Sequence, residues 1–143
     1  GVRSGVFGKT FTGERFPKGL SPLTLAFVGD GVYELLVREY LVSQGNCPVK
    51  KLHSRKVELV RCQAQAQALS TLWPQLSEEE QQVVLRGRNA HVGHAPKNAP
   101  LADYHGATGL EALFGYLYLS GNTQRVREIF SQILKDWNTK TEE

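Results

Sequence analysis

Two acidic residues stand where a chain seldom places charge. Asp30 interrupts the apolar run "AFVGDGVYELLV" (26–37) and is bracketed by Gly29 and Gly31. Glu111 lies in "TGLEALFGYLYL" (108–119), where its neighbours are Leu, Ala, Phe, Gly and Tyr. A glycine inside a helix costs about 1 kcal/mol relative to alanine, so two of them around one carboxylate mark a close approach of backbone or ligand. An ionised carboxylate in apolar surroundings needs a cation or several hydrogen-bond donors. Two such carboxylates converging from different helices can hold Mg²⁺ without a complete protein cage, the ion keeping waters and taking a substrate phosphate. A water on that ion is acidified and can attack phosphorus, while the ion stabilises charge on the leaving oxygen. The plainer alternative stays open at this point. Asp30 then pairs with Arg38 or Arg61, or its glycines serve only tight helix packing. Glu34 is a third acid, one turn beyond Asp30, and Arg38 four residues on is its natural exposed partner.

These residues need elements to carry them, and the chain reads as helices. Ser21 followed by Pro22 is an N-cap and first-turn pair that opens a helix through about Leu41. "GNCP" (45–48) breaks the chain, and Pro48 opens a helix running to about Leu72, before Pro74. Ser77 with Glu80 in "SEEE" is a capping box that starts a third helix, to about Arg86. "GRNAHVGHAPKNAPLADYHGAT" (87–108) reads as a loop, followed by helices near 109–120 and 123–137 separated by "SGN". No alternating run is long enough for a strand, so the expected class is all-α in one domain, residues 21–137. On a helical projection Leu23, Ala26, Phe27, Asp30, Val37 and Leu41 share one side of the first helix, and Leu25, Val28, Val32, Leu35 and Leu36 cover most of the other. Such a helix is expected to be buried, with Asp30 in or beside the core.

The 143 residues suffice for one domain with a real core, and 41% hydrophobic with 22% charged residues is a folded, water-compatible balance. No apolar stretch approaches the roughly 18 residues of a membrane helix, and residues 1–20 hold no secretory h-region. Cys47 and Cys62 lack CxxC spacing and fit a reducing compartment rather than a disulfide scaffold. Residues 1–20 contain five glycines and four basic residues against one acid, the composition of a flexible basic tail or an appended leader. Without any methionine, Gly1 is expected to be a processed or trimmed end. Phe7, Phe11 and Phe16 are many for a free linker, so part of that tail is expected to dock. Residues 138–143 are expected to be a disordered tail.

Three segments together resemble a known family. "FVGDGVYE" resembles the signature helix of the ribonuclease III catalytic domain, and "LEALFGYLYLSG" resembles that family's second acidic helix. "RGRNA…PKN" and the order of helices resemble the short bacterial branch called Mini-ribonuclease III, a catalytic domain without a double-stranded-RNA-binding domain. The resemblance spans residues 21 to about 137. It implies an all-α homodimer that cuts double-stranded RNA with Mg²⁺, for which Mn²⁺ can substitute, and Asp30 and Glu111 as metal-binding, catalytic acids. It puts the first helix on the dimer axis, with Phe27, Val28 and Gly31 at the interface and the glycines leaving room for a symmetry mate and the metal. The implied substrate is a stem in the precursor of large-subunit (23S) ribosomal RNA, with neither DNA nor a membrane as partner, in a bacterial cytoplasm or, in a plant, a plastid. The wider family has two further acids where this chain has Ala26 and Thr108, so a second metal ion is not implied.

The basic residues cluster as an RNA path would require. Residues 50–61 carry five positive charges against one negative, and 86–97 carry three and no acid. The expected RNA contacts are Lys56, Arg61, Gln63, Arg86, Arg88, Asn89, Lys97 and Asn98, with phosphate attraction that falls with salt. Gln63, Gln65 and Gln67 beside small alanines suit a shallow minor groove and its 2′-hydroxyls. A solvated helix face is the plainer reading of 50–61. His91, His94 and His105 with Asp103 can be drawn as a zinc site, but H-x-x-H without a cysteine pair is a weak signature. A catalytically inactive RNA-binding module of the same fold is the second functional reading, favoured by Ala26 and Thr108. A helical dimerisation protein without an RNA role is the third, and it leaves the two acids unexplained.

Overall fold

The structure, a computed structural model, describes residues 16–90 and 100–142. Among these it is all-α, as expected: α1 (Pro22–Ser43), α2 (Val49–Val60), α3 (Cys62–Leu72), α4 (Glu78–Arg88), α5 (Leu101–Leu119) and α6 (Thr123–Glu142), with short 3-10 turns at Phe16–Gly19 and Trp73–Gln75. The helix that ends up central is α5. It packs on α1, α3, α4 and α6, and eleven of its residues between Gly106 and Leu119 are buried. The main core gathers Tyr33, Val37, Leu110, Leu113, Phe114 and Phe130 with their neighbours. Tyr33 anchors it, edge-on to Phe114 and Phe130 with ring centroids 5.4 and 5.8 Å away.

The caps behave as the residue types dictate. The Ser21 hydroxyl accepts the Thr24 N–H at the start of α1, and Ser77 and Glu80 close a reciprocal capping box on α4. Glu80 then does more than cap. Arg125 at the start of α6 donates to both its oxygens, at 2.8 and 2.9 Å, and to the Gln75 carbonyl. One carboxylate therefore ties two helix N-termini together.

Several expectations need correction. The single helix expected over 48–72 is two helices broken at Arg61, whose backbone is extended (ψ 154°). The break lets α2 lie on α1 while α3 turns onto α5. Side-chain donors occupy the carbonyls at the end of α2: the Tyr33 hydroxyl from α1 donates to Leu59 at 3.1 Å and the nearby Gln65 amide to Val60 at 2.7 Å. The segment 87–108 is not all loop, because α4 continues to Arg88 and α5 begins at Leu101. The glycines that suggested a loop serve close packing, Gly106 against Ala66 and Gly109 against Val84. The tail expected to be disordered from 138 is helical through Glu142. Residues 1–15 lie outside the described residues; Pro17, at the end of the expected tail, is fully buried.

Burial of α1 is one-sided. Leu25, Ala26, Gly29, Tyr33, Val37 and Leu41 face the core. Phe27 is 81% exposed, Leu35 49% and Leu23 38%, so Leu23, Phe27 and Asp30 lie on the open side rather than in the core. A helix that reads as apolar all round is covered by its own chain on only one face.

Candidate active site

Asp30 and Glu111 meet because α1 and α5 touch backbone to backbone. Gly29 lies against the carbonyl of Glu111, and Gly115 lies against the carbonyl of Leu25. The two contacts are four residues apart on each helix and run in opposite directions, as in an antiparallel pair. A methyl group on either glycine would collide with the opposite main chain. Helix axes normally stand 8–10 Å apart, set by the side chains between them; here there are none. The crossing places Asp30, the residue after Gly29, beside the side chain of Glu111. Gly31 has open space where a Cβ would stand, so the two glycines around Asp30 serve different ends.

The Asp30 carboxyl stands near enough to Glu111 to act on its charge. Asp30 is exposed and Glu111 half-buried. Burial, then the Asp30 carboxyl, pushes the Glu111 carboxyl up to about 8, with the polar Gln65 side chain opposing the shift. At neutral pH the pair therefore retains a proton that two separate carboxylates would have lost. Cys62, at the start of α3, borders the same place; burial first, then Glu111, Asp103 and Asp30, raise its thiol. Burial and Glu111 likewise hold the Tyr33 hydroxyl well above its ordinary range.

This donor set fits a hard divalent cation. Two oxygen ligands that crowd and repel, one of them open to solvent, gain most when a doubly charged ion replaces the shared proton. Among the described residues no group of three or more His, Cys, Asp and Glu side chains converges to cage a metal. Ala26 and Thr108, where the wider family would add acids, are 7% and 6% exposed. Ala26 packs with Leu25, Val83 and Ala112, and the Thr108 hydroxyl donates to the Tyr104 carbonyl at 3.0 Å.

The surrounding polar residues divide into free and engaged. Lys56 is engaged: its Nζ lies 2.8 Å from Glu34 and its side chain is 12% exposed. Arg38 pairs with the same carboxylate at 3.4 Å, and no ion pair joins Asp30 to Arg38 or Arg61 among the described residues. Arg61, Gln63, Arg86, Arg88 and Asn89 are exposed. Gln63 and Arg88 share an open depression of about 440 Å³ with Gln67, Ser70 and Asp103. Gln65, grouped with Gln63 and Gln67 as a groove reader, is instead 3% exposed and turned inward. Alternation of Gln and Ala along α3 conceals that split, since only the helical period separates the faces. Lys97, Asn98, His91 and His94 lie outside the described residues, while His105 and Asp103 stand in the first turns of α5. Val28 is half-buried, and Gly31 and Phe27 are exposed on the side of α1 that carries Asp30.

Comparison with known proteins returns one consistent pattern. A family model described as Ribonuclease III domain matches residues 23–122. The chain is 50% identical over 113 residues to a protein named Mini-ribonuclease 3 from Symbiobacterium thermophilum, covering 79% of this chain and 87% of that protein. It is 48% identical over 118 residues to a Mini-ribonuclease 3 from Brevibacillus brevis, covering 82% and 88%. Its fold is similar to the crystal structure of protein FN1578 from Fusobacterium nucleatum, with a TM-score of 0.76 and 27% identity over 83% of this chain and 95% of that one.

Proposed function

The chain belongs to the ribonuclease III domain family, and on that premise we propose that it is a double-stranded-RNA-specific endoribonuclease that works as a homodimer with Mg²⁺ held by Asp30 and Glu111. The observation that supports this reading best is the paired carboxyl groups at the glycine crossing of α1 and α5. When bound, the ion supplies Lewis acidity at the scissile phosphate. The chain's own part is positional. Asp30, exposed beside an open edge, is the acid an RNA phosphate reaches first; Glu111, deeper, is placed by the α1–α5 contact. With two carboxylates rather than a cage, the phosphate must complete the coordination, so metal and RNA binding are coupled.

Phe27, Val28 and Gly31 form the dimer contact in this reading. An apolar side chain as exposed as Phe27 next to a glycine with open space suits a symmetry mate packing on α1. RNA runs over Arg61, Gln63, Arg86, Arg88 and Asn89; Lys97 and Asn98, also expected to contact it, lie outside the described residues. Lys56 contributes by holding α2 on α1 through Glu34. The exposed Gln63 and Gln67 suit 2′-hydroxyls of a shallow groove, which selects RNA over DNA. The substrate is a stem of precursor large-subunit ribosomal RNA in a bacterial cytoplasm, and Mn²⁺ replaces Mg²⁺.

A second reading has an observation behind it: Ala26 and Thr108 are packed away, and among the described residues no third acid joins the pair. The protein would then bind RNA without cutting. Incubating a long double-stranded RNA with protein in Mg²⁺, and again with EDTA, separates the two. Metal-dependent cutting supports the nuclease; binding without cutting in Mg²⁺ or Mn²⁺ leaves the inactive module.

A further inference from the structure

The open depression between α3, the end of α4 and the start of α5 holds an acid that a phosphate path does not need. Gln63, Gln67, Ser70, Arg88 and Asp103 line its volume of about 440 Å³. Gln63, Gln67 and Ser70 follow one another at helical spacing and form one exposed stripe of α3. Ala66 and Gly106 also line the depression and pack against each other, so no large side chain fills the space. Asp103 is half-buried there and Arg88 exposed, and among the described residues no ion pair joins the two. Arg88 suits a phosphate. A carboxylate repels phosphate and only accepts hydrogen bonds, so its partner must be a donor. The dipole of α5 favours an acid in the first turn, but an acid turned to open water would serve it equally.

We infer that this depression lies on the minor groove of the RNA duplex and that Asp103 sets a base preference there, accepting from the 2-amino group of a guanine. The inference deepens the reading of the chain as a double-stranded-RNA nuclease and rests on it. The minor groove of an RNA helix is wide and shallow and displays base edges with the 2′-hydroxyls. On the edges that face a minor groove, adenine and its pyrimidine partner show acceptors only, and the guanine 2-amino group is the one donor. Asp103 therefore attracts a G·C pair. An A·U pair would set acceptors against a half-buried carboxylate and leave it without a partner. Gln63 and Gln67 carry donors as well as acceptors and tolerate either pair, so discrimination falls to the residue that cannot donate. By the helix rise, Asp103 stands about 12 Å along α5 from Glu111, so the guanine lies within a few base pairs of the scissile phosphate.

Inosine is guanosine without the 2-amino group, and it pairs with cytidine in the same geometry. Duplexes that carry a single inosine in place of guanosine, walked across the cleavage site, read the contact directly. At one position the wild-type kcat/KM should drop about tenfold, the discrimination carried by one base pair. In Asp103→Ala the same inosine should make no difference, and Asp103→Asn, whose amide oxygen still accepts, should regain part of the preference. Indifference of the wild type to inosine at every position, or a preference that survives in Asp103→Ala, overturns the assignment. So does a dependence on Asp103 that disappears with 2′-deoxyribose rather than with inosine, because the carboxylate would then take a 2′-hydroxyl. If Asp103→Ala fails to fold, the inosine walk with the wild type and Asp103→Asn decides. A wild type that binds these duplexes without cutting sinks the nuclease reading alone, and the same comparison is then made on affinity in EDTA. One that cuts G·C and I·C duplexes alike sinks the guanine contact alone.

Discussion

Gly29 and Gly115 face each other across the α1–α5 contact, each with the opposite main chain where its own side chain would be. This reciprocal fit sets the distance between Asp30 and Glu111, which stand beside it. Alanine at Gly29 should cost about 3 kcal/mol, the upper range for overpacking, and should lower cleavage beyond what stability explains. Gly31→Ala has open space and gains helix propensity, so the isolated subunit should be stabilised by up to about 1 kcal/mol. If α1 packs on a symmetry mate, the same change should weaken dimerisation. Denaturant melts and sedimentation measure the two effects separately.

The Phe27 face gives a sharper test of assembly. Phe27→Glu should yield a folded, helical monomer, because the side chain meets little of its own chain. Sedimentation velocity at micromolar protein reads the change. A wild-type protein that is already monomeric, or a variant that remains dimeric, contradicts the α1 interface.

Glu111 predicts a pH dependence with a definite sign. Its carboxyl is pushed up to about 8 from an ordinary value of 4.5. Between those values the unfolded chain has lost the proton and the folded chain keeps it, so stability falls as pH rises from 4.5 through 8. Glu111→Gln should flatten that decline in the metal-free protein. Mg²⁺ competes with the same proton, so the half-saturating Mg²⁺ concentration should rise by up to about tenfold for each pH unit below 8. Calorimetry at two pH values in buffers of different ionisation heat reads the proton released.

The Glu80–Arg125 pair is a stability device remote from the chemistry. The Arg125 guanidinium holds the Glu80 carboxyl below its ordinary range, ahead of burial, which opposes it. Its contribution is therefore present above pH 4.5 and lost as pH falls through the lowered value. Arg125→Met leaves a largely buried carboxylate without its partner and should cost about 3 kcal/mol in urea melts at pH 7, with Mg²⁺ dependence of cleavage unchanged.

Much of this arrangement was legible because two acids in apolar helices are expensive and conspicuous. Ser21 with Pro22 and Ser77 with Glu80 marked helix starts through local hydrogen bonds, which need no tertiary information. The break at Arg61 carries no glycine or proline; its carbonyls are taken by the Tyr33 hydroxyl from α1, on Leu59, and by the Gln65 amide five residues on, on Val60. The start of α5 was missed because Gly106 and Gly109 read as loop residues, although they are small to let α3 and α4 approach. Asp30 looked buried because Leu23 and Phe27 beside it are apolar, and periodicity cannot tell a face covered by the same chain from one left open. Which basic residues are engaged is likewise a tertiary matter, since Glu34 on α1 occupies Lys56 on α2.

The most direct measurement is Mn²⁺ binding followed by electron paramagnetic resonance, with double-stranded RNA present, in wild-type and Asp30→Asn protein. A carboxylate pair that holds the catalytic ion predicts binding in the wild type, a loss of at least about tenfold in the variant, and loss of cleavage with RNA affinity retained. Equal Mn²⁺ binding by the two proteins, or cleavage that survives Asp30→Asn, would contradict it.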